Sequence, residues 1–300
     1  MKLGDLSLLQ LRHRLADNDL ALRTGPFVTR IHSPMPQVAD GLLRLYADFQ
    51  LDAGEFCDFH VRVGPPPGPR RWLRPQINFW LDGHSPFKPL PADHAFALLE
   101  WGLNWCVAGH AHHYLMLHAA VLEKNGRAVV LPGDPGAGKS TLTAALMLSG
   151  WRLLSDEITL VDRNDGLLVG LARPVSLKNA SIDVIRRAFP DAVIGAPAYD
   201  THKGTVAHVR PSADSIERVG EKVQPAWVVF PRWREGSPAR LSPHSRADAF
   251  LHTASHAFNY SLLGGLGFEL NAALMDACEC HDFEYSRLDD ALRVFAELAA

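Results

Sequence analysis

Residues 131–141 run Leu131-Pro132-Gly133-Asp134-Pro135-Gly136-Ala137-Gly138-Lys139-Ser140-Thr141. Gly133, four intervening residues, then Gly138-Lys139-Ser140 satisfy the G-x-x-x-x-G-K-[ST] pattern of a phosphate-binding loop. The flanks agree with it. Arg127–Leu131 reads as a short buried strand, and Thr141–Leu148 as a helix ending at Gly150. A strand feeding a glycine loop and then a helix aims backbone N–H groups and the positive helix end at one point, which suits a polyphosphate. Side chains at the glycines would keep the backbone from wrapping the anion. In such a loop Lys139 reaches the β- and γ-phosphates and the Ser140 hydroxyl ligates Mg²⁺. The nucleotide contacts expected here are Gly133, Asp134, Pro135, Gly136, Ala137, Gly138, Lys139, Ser140 and Thr141.

The bulk numbers narrow the rest. Three hundred residues suffice for one large or two modest domains, and 47% hydrophobic with 21% charged residues is ordinary globular composition. A net charge of −3 argues against a basic nucleic-acid surface. No apolar run approaches the ~18 residues of a membrane span, and the segment after Met1 lacks a signal-peptide core. Cys57, Cys106, Cys278 and Cys280 are too few and too irregular for a disulfide framework, so a reducing cytoplasm is expected. No nucleic-acid or membrane partner is expected; self-association stays open.

Along the chain, helical spacing predicts helices over 5–16, 36–47, from Pro91 toward 111, and over 246–257, 268–277 and 288–298. Phe27–Ile31 alternates as a strand, and Phe59–Val63 pairs with Gln76–Leu81 around the loop Gly64–Pro69. Tyr114–Glu123 reads as one strand, turning at Asn125-Gly126 into Arg127–Leu131. Trp151–Val161 reads as a strand broken by acids, and Ala226–Phe230 as another apolar strand. The expected fold is an α/β domain with a mixed sheet, where antiparallel hairpins sit beside the phosphate loop. One boundary is drawn near 108, giving an N-terminal α/β domain over 1–108 and the phosphate-loop domain over 109–300.

Asp156 and Glu157 end an apolar strand sixteen and seventeen residues after Ser140. A buried carboxylate pair is costly unless a metal or base compensates it. One acid then serves Mg²⁺, directly or through water, while the other accepts the proton of an attacking hydroxyl. His118 lies on the strand whose hairpin partner ends at the phosphate site. His110, His112 and His113 lack companion metal ligands at a recognised spacing, and Cys278-Glu279-Cys280-His281 supplies three soft ligands at most, so structural cysteines are the simpler reading. Lys178, after a Pro-bounded apolar strand, Lys203, beside a glycine, and Arg210 are the remaining cations expected near an acceptor or the γ-phosphate.

His118-Ala119, the hairpin, Gly133–Ser140 and Gly150-Trp151-Arg152-Leu153-Leu154-Ser155-Asp156-Glu157 closely resemble the core of HPr serine kinase/phosphorylase. Arg173–Asn179, Lys203–His208 and Glu100–Trp105 look like the HPr-kinase-related proteins of the type called HprK-related kinase A. The resemblance covers the whole chain for that subgroup and about 114–180 for HPr kinase itself. It implies a core like that of phosphoenolpyruvate carboxykinase rather than the usual parallel sheet. It also implies ATP and Mg²⁺ as ligands, Asp156 as the base, His118 near the transferred phosphate, and Lys139 and Ser140 in their loop roles, leaving Glu157 with Ser140 for the metal. Glu157 stands where the family has a second aspartate, and Ala119 replaces a glycine. The glycine-rich loop tied to phosphoserine removal is not found, which leaves the reverse activity open and HPr itself unsupported as the substrate; a kinase is expected. Its acceptor would be a hydroxyl, most simply serine in a protein or peptide. A phosphate-loop ATPase or nucleotide-dependent regulator without an acceptor, and a small-molecule kinase, are the alternatives.

Overall fold

The computed structural model describes residues 1–54, 56–68, 75–134 and 136–300. The chain divides into two compact units. The first takes Met1–Val107, Ser176–Asp183 and Asp191–Arg210; the second takes Ala108–Val175, Val184–Pro190 and Pro211–Ala300.

After a 3₁₀ turn at Leu3–Asp5, the first unit continues with the helix Leu8–Ala16, started by Ser7, whose hydroxyl accepts the Gln10 N–H while the Gln10 side chain reaches back to the Ser7 N–H. Strands β1 (Leu20–Thr24), β2 (Phe27–His32), β3 (Phe59–Gly64), β4 (Gln76–Leu81) and β5 (Leu90–Pro91) form one sheet in sequential order. β2 and β3 run parallel, and the other neighbours antiparallel. Alternate residues of β3 are buried, so one face carries the core. The helices Pro36–Leu45 and Ala95–His110 contribute buried Val38, Leu42, Leu98 and Leu103. Pro91 starts a single 3₁₀ turn, and the long helix begins only at Ala95. Of the Gly64–Pro69 loop expected from the sequence, Pro69 lies outside the described residues.

The second unit begins with β6 (Tyr114–Leu117), β7 (Ala119–Lys124) and β8 (Arg127–Pro132). The turn between β7 and β8 has positive φ at both Asn125 and Gly126, as a two-residue hairpin requires. Tyr114–Glu123 is therefore not one strand. It breaks at His118, and its two halves belong to different sheets. β9 (Arg152–Ser155) and β10 (Thr159–Asp162) are divided in the same way around Asp156-Glu157. β7 pairs with β9, whereas β6 pairs with β10, which also holds β11 (Leu168–Val169). The antiparallel pair thus folds over as a corner, with His118 on one arm and the two acids on the other.

β12 (Val175–Lys178), β13 (Ala198–Thr201) and β14 (Gly204–Val209) form a separate three-stranded sheet in the order β12-β14-β13. Its return to the first unit corrects the continuous 109–300 domain expected from the sequence. Specific bonds account for the return: Arg210 pairs with Asp48, Arg44 Nε donates to the Ile194 carbonyl at 2.7 Å, and His94 Nε2 lies 2.7 Å from the Tyr199 carbonyl. β15 (Gln224–Trp233), β16 (Arg240–Pro243) and β17 (Glu279–Tyr285) complete a six-stranded mixed sheet, β16-β17-β15-β8-β7-β9. β15 runs parallel to both β8 and β17, and β7 antiparallel to β8, so the sheet is mixed, as the sequence implies. Leu117, Val121, Val130, Leu154, Val228 and Leu274 share one apolar core against it. No described helix is long and apolar enough to cross a membrane.

Candidate functional site

β8 delivers the chain to Gly133 at its own carboxyl end, and the helix Lys139–Leu148 leaves from Gly138. The helix starts two residues before the sequence pattern suggests, so Lys139 and Ser140 occupy its first turn. It stops in a Schellman motif: Trp151 N–H returns to the Leu146 carbonyl and Gly150 N–H to Met147, with Gly150 at φ 90°. At the other end Gly138, the N-cap, has no side chain with which to cap the first turn, and a helix N-terminus is where an anion is favoured.

Gly136 and Gly138 both have positive φ, 91° and 86°. They do so for different reasons. A Cβ on Gly136 would meet nothing within 4 Å, so only backbone conformation demands glycine there. A Cβ on Gly138 would lie 2.7 Å from the Tyr285 hydroxyl and 3.0 Å from Trp233 Cβ. Those neighbours brace the loop. Tyr285 Oη donates to the Gly138 carbonyl at 3.2 Å, Trp233 N–H to Ala137 at 3.0 Å, and Ala137 N–H to Asp134 at 3.1 Å. Burial pushes the Tyr285 hydroxyl well above its ordinary pKa, which keeps it a donor. Pro135 lies outside the described residues.

Beneath the loop, Ser140 Oγ donates to Asp156 Oδ2 at 3.4 Å, a long contact between two hard oxygen donors. The Lys139 amine and Asp156 Oδ1 are both shielded from solvent. The position of Asp156 follows from Ser155, whose hydroxyl accepts the Ile158 N–H at 3.1 Å and so turns the chain out of β9 at the two acids. Thr159 Oγ1 donates to the Ala119 carbonyl at 3.0 Å and fastens the corner to the opposite arm. Thr159 pairs with Leu117 on one side of the corner and Ser155 with Val121 on the other, so residues 118–120 face 156–158 across it. His118, half-buried, donates its N–H to the His256 carbonyl at 3.2 Å, and its ring lies 5.7 Å from that of Phe258. Glu157 is half-buried in the same bend.

The structure thus gathers Lys139, Ser140 and Asp156 around the loop, with His118 and Glu157 on the adjoining corner. Lys178, Lys203 and Arg210 belong to the first unit. Lys178 ends β12 with an exposed side chain, and its backbone N–H donates to Ser181 Oγ. The Lys203 amine lies 5.5 Å above the Trp101 ring, and Arg210 is paired with Asp48. Cys278 and Cys280 are free and buried, and burial pushes the Cys278 thiol up to about 12, so both act as apolar packing. Sequence reasoning missed the loop braces Tyr285 and Trp233, which come from distant strand ends and carry no local signal. It also missed a cleft of ≈ 640 Å³ beside the loop, where Asp134 and Ala137 meet Phe230, Arg240, His244 and His252.

Ser140 and Asp156 form a donor set that suits Mg²⁺, which takes few protein oxygens and keeps the rest for water and phosphate. The loop with its shielded lysine suits a nucleotide's terminal phosphates. No family model matches the chain, and no curated protein matches it. Among solved structures, the Hpr(Ser) kinase/phosphatase from Coxiella burnetii is distantly similar, at 14% identity and a TM-score of 0.26, covering 61% of this chain and 96% of that one.

Proposed function

We propose that this chain is an ATP-dependent phosphotransferase that passes the γ-phosphoryl group to a hydroxyl, most simply the serine of a protein or peptide. The observation that carries the reading is the contact of Ser140 Oγ with Asp156 Oδ2 directly under a braced phosphate loop. The loop N–H groups and Lys139 would hold the phosphates, and Ser140 with an acid of the corner would hold Mg²⁺. That ion neutralises charge on the phosphates when bound. Asp156 would take the proton of the acceptor hydroxyl, and His118 would add electrostatic support beside the transferring group. The same Ser140 contact favours a second distribution of roles, in which Asp156 belongs to the metal and Glu157 takes the proton.

The test has two parts. Lys139→Ala is expected to abolish nucleotide binding by calorimetry; unchanged ATP affinity and transfer would remove the site assignment. Incubation with labelled ATP and cell extract, followed by mass spectrometry, should find label on a protein or peptide hydroxyl. Label in free phosphate alone would make the chain an ATPase or nucleotide-dependent regulator, and a labelled metabolite would make it a small-molecule kinase.

A further inference from the structure

We infer that Asp134, His252 and His256 form a binding site for a divalent transition-metal ion of the Zn²⁺ class, separate from the Ser140–Asp156 pair. The helix Arg246–Ser255 carries His252, and His256 caps its end four residues later, so the two imidazoles stack with centroids 4.3 Å apart. Asp134 comes from the phosphate loop, and one ligand atom from each of the three lies within 4.8 Å of the others.

The protonation pattern argues for a cation. His256 Nδ1 lies 2.9 Å from the His252 carbonyl, which can only accept, and 3.0 Å from Ser255 Oγ, which donates its own proton to that carbonyl at 2.9 Å, so the geometry sets the ring proton on Nδ1. The neutral ring then has its lone pair on Nε2, and Nε2 faces Asp134 Oδ1 at 3.6 Å. Two acceptors face each other there, a contact that a shared donor or a cation between them would relieve. His252 Nε2 is also shielded from solvent and has no hydrogen-bond partner among the described residues. A proton on His256 would answer the first difficulty and leave the second. A metal ion answers both. The Nδ1–H bond to a backbone carbonyl is also the usual way a metal-binding histidine is oriented.

The Asp134–His256 distance and the donor types agree. Ligands at ~2.0–2.1 Å around a tetrahedral Zn²⁺ stand about 3.3 Å apart, close to the 3.6 Å between His256 and Asp134. Asp134 is exposed, so its carboxylate is free to turn. Two imidazoles and one carboxylate favour zinc-like ions over Mg²⁺ or Ca²⁺, which take all-oxygen sets. Three protein ligands also leave a coordination position for water or a ligand oxygen.

The test uses the full chain, stripped with chelator and titrated with Zn²⁺ in excess Mg²⁺ by calorimetry. One ion per chain is expected, and His256→Gln and His252→Gln should each weaken binding at least about tenfold. His112→Gln, in the other histidine group, should leave binding unchanged. Absence of stoichiometric Zn²⁺ binding to the unaltered chain would overturn the inference, and so would unchanged affinity in both variants. If His252→Gln loses its fold by circular dichroism, His256→Gln, at an exposed position, decides alone. The readout is metal affinity, so failure of the kinase reading would leave it standing.

Discussion

Asp156 owes its place to the hydroxyl of the residue before it: Ser155 Oγ accepts the Ile158 N–H, β9 ends, and the carboxylate turns toward Ser140. Asp156→Asn keeps the size and much of the hydrogen bonding of the side chain while removing its charge. ATP binding should persist, and transfer should fall by roughly 10²-fold or more, because general-base assistance is typically worth that much. Single-turnover rates beside ATP affinities check this. Lost Mg·ATP affinity with normal turnover per complex would instead assign Asp156 to the metal and Glu157 to the proton. At this scale the sequence was informative wherever chemistry is local. The loop residues, the adjacent acids and Ser140 stand within a short span of chain, and spacing alone exposed them. Tyr285 and Trp233 were illegible, because their role depends on where β17 and β15 happen to end. The His252–His256 spacing is visible in the sequence, but Asp134 lies far upstream in the loop, and nothing in the spacing ties it to the two histidines.

The corner joining β6–β7 to β9–β10 is where sequence pattern misled. Leu115, Met116 and Leu117 are buried in one sheet and Ala119–Leu122 in the other, so the apolar run is continuous across the break. Strands buried on both faces lose the alternation that would have marked a change of sheet. The strand pair is also stapled near its far end, where Arg152 Nε donates to Glu123 Oε2 at 2.6 Å with both side chains under 5% exposed. Burial alone would raise the Glu123 pKa. The Arg152 bond, the Gly126 N–H and the Arg218 charge outweigh it, and the carboxyl sits below its ordinary 4.5. A lowered folded-state pKa adds stability that is fully present above the unfolded value and is lost as pH falls through the folded one. Denaturant titrations should therefore show stability declining below about pH 4.5. Glu123→Gln should flatten part of that decline. At neutral pH it should cost about 3–5 kcal/mol, since Arg152 is left buried without its counter-charge.

Over the whole molecule, the chain leaves the first unit after Val107 and revisits it at Ser176–Asp183 and Asp191–Arg210. Composition gives no sign of these returns, because the bonds that fix them join residues some 100 to 160 positions apart, as Arg210 does with Asp48. Expressed alone, residues 109–300 would carry β13 and β14 without Asp48, Arg44 or His94 to receive them. Such a fragment should bind a hydrophobic dye and melt without a sharp transition. A soluble fragment with a cooperative transition would show that the second unit folds without those partners. The interleaved path also means that the boundary near 108 cuts the first unit rather than freeing it. A chain severed there would yield two pieces, each holding part of the same sheet-and-helix assembly. They should behave as complementing halves: co-expressed 1–108 and 109–300 would purify together and recover the sharp melting that neither piece has by itself.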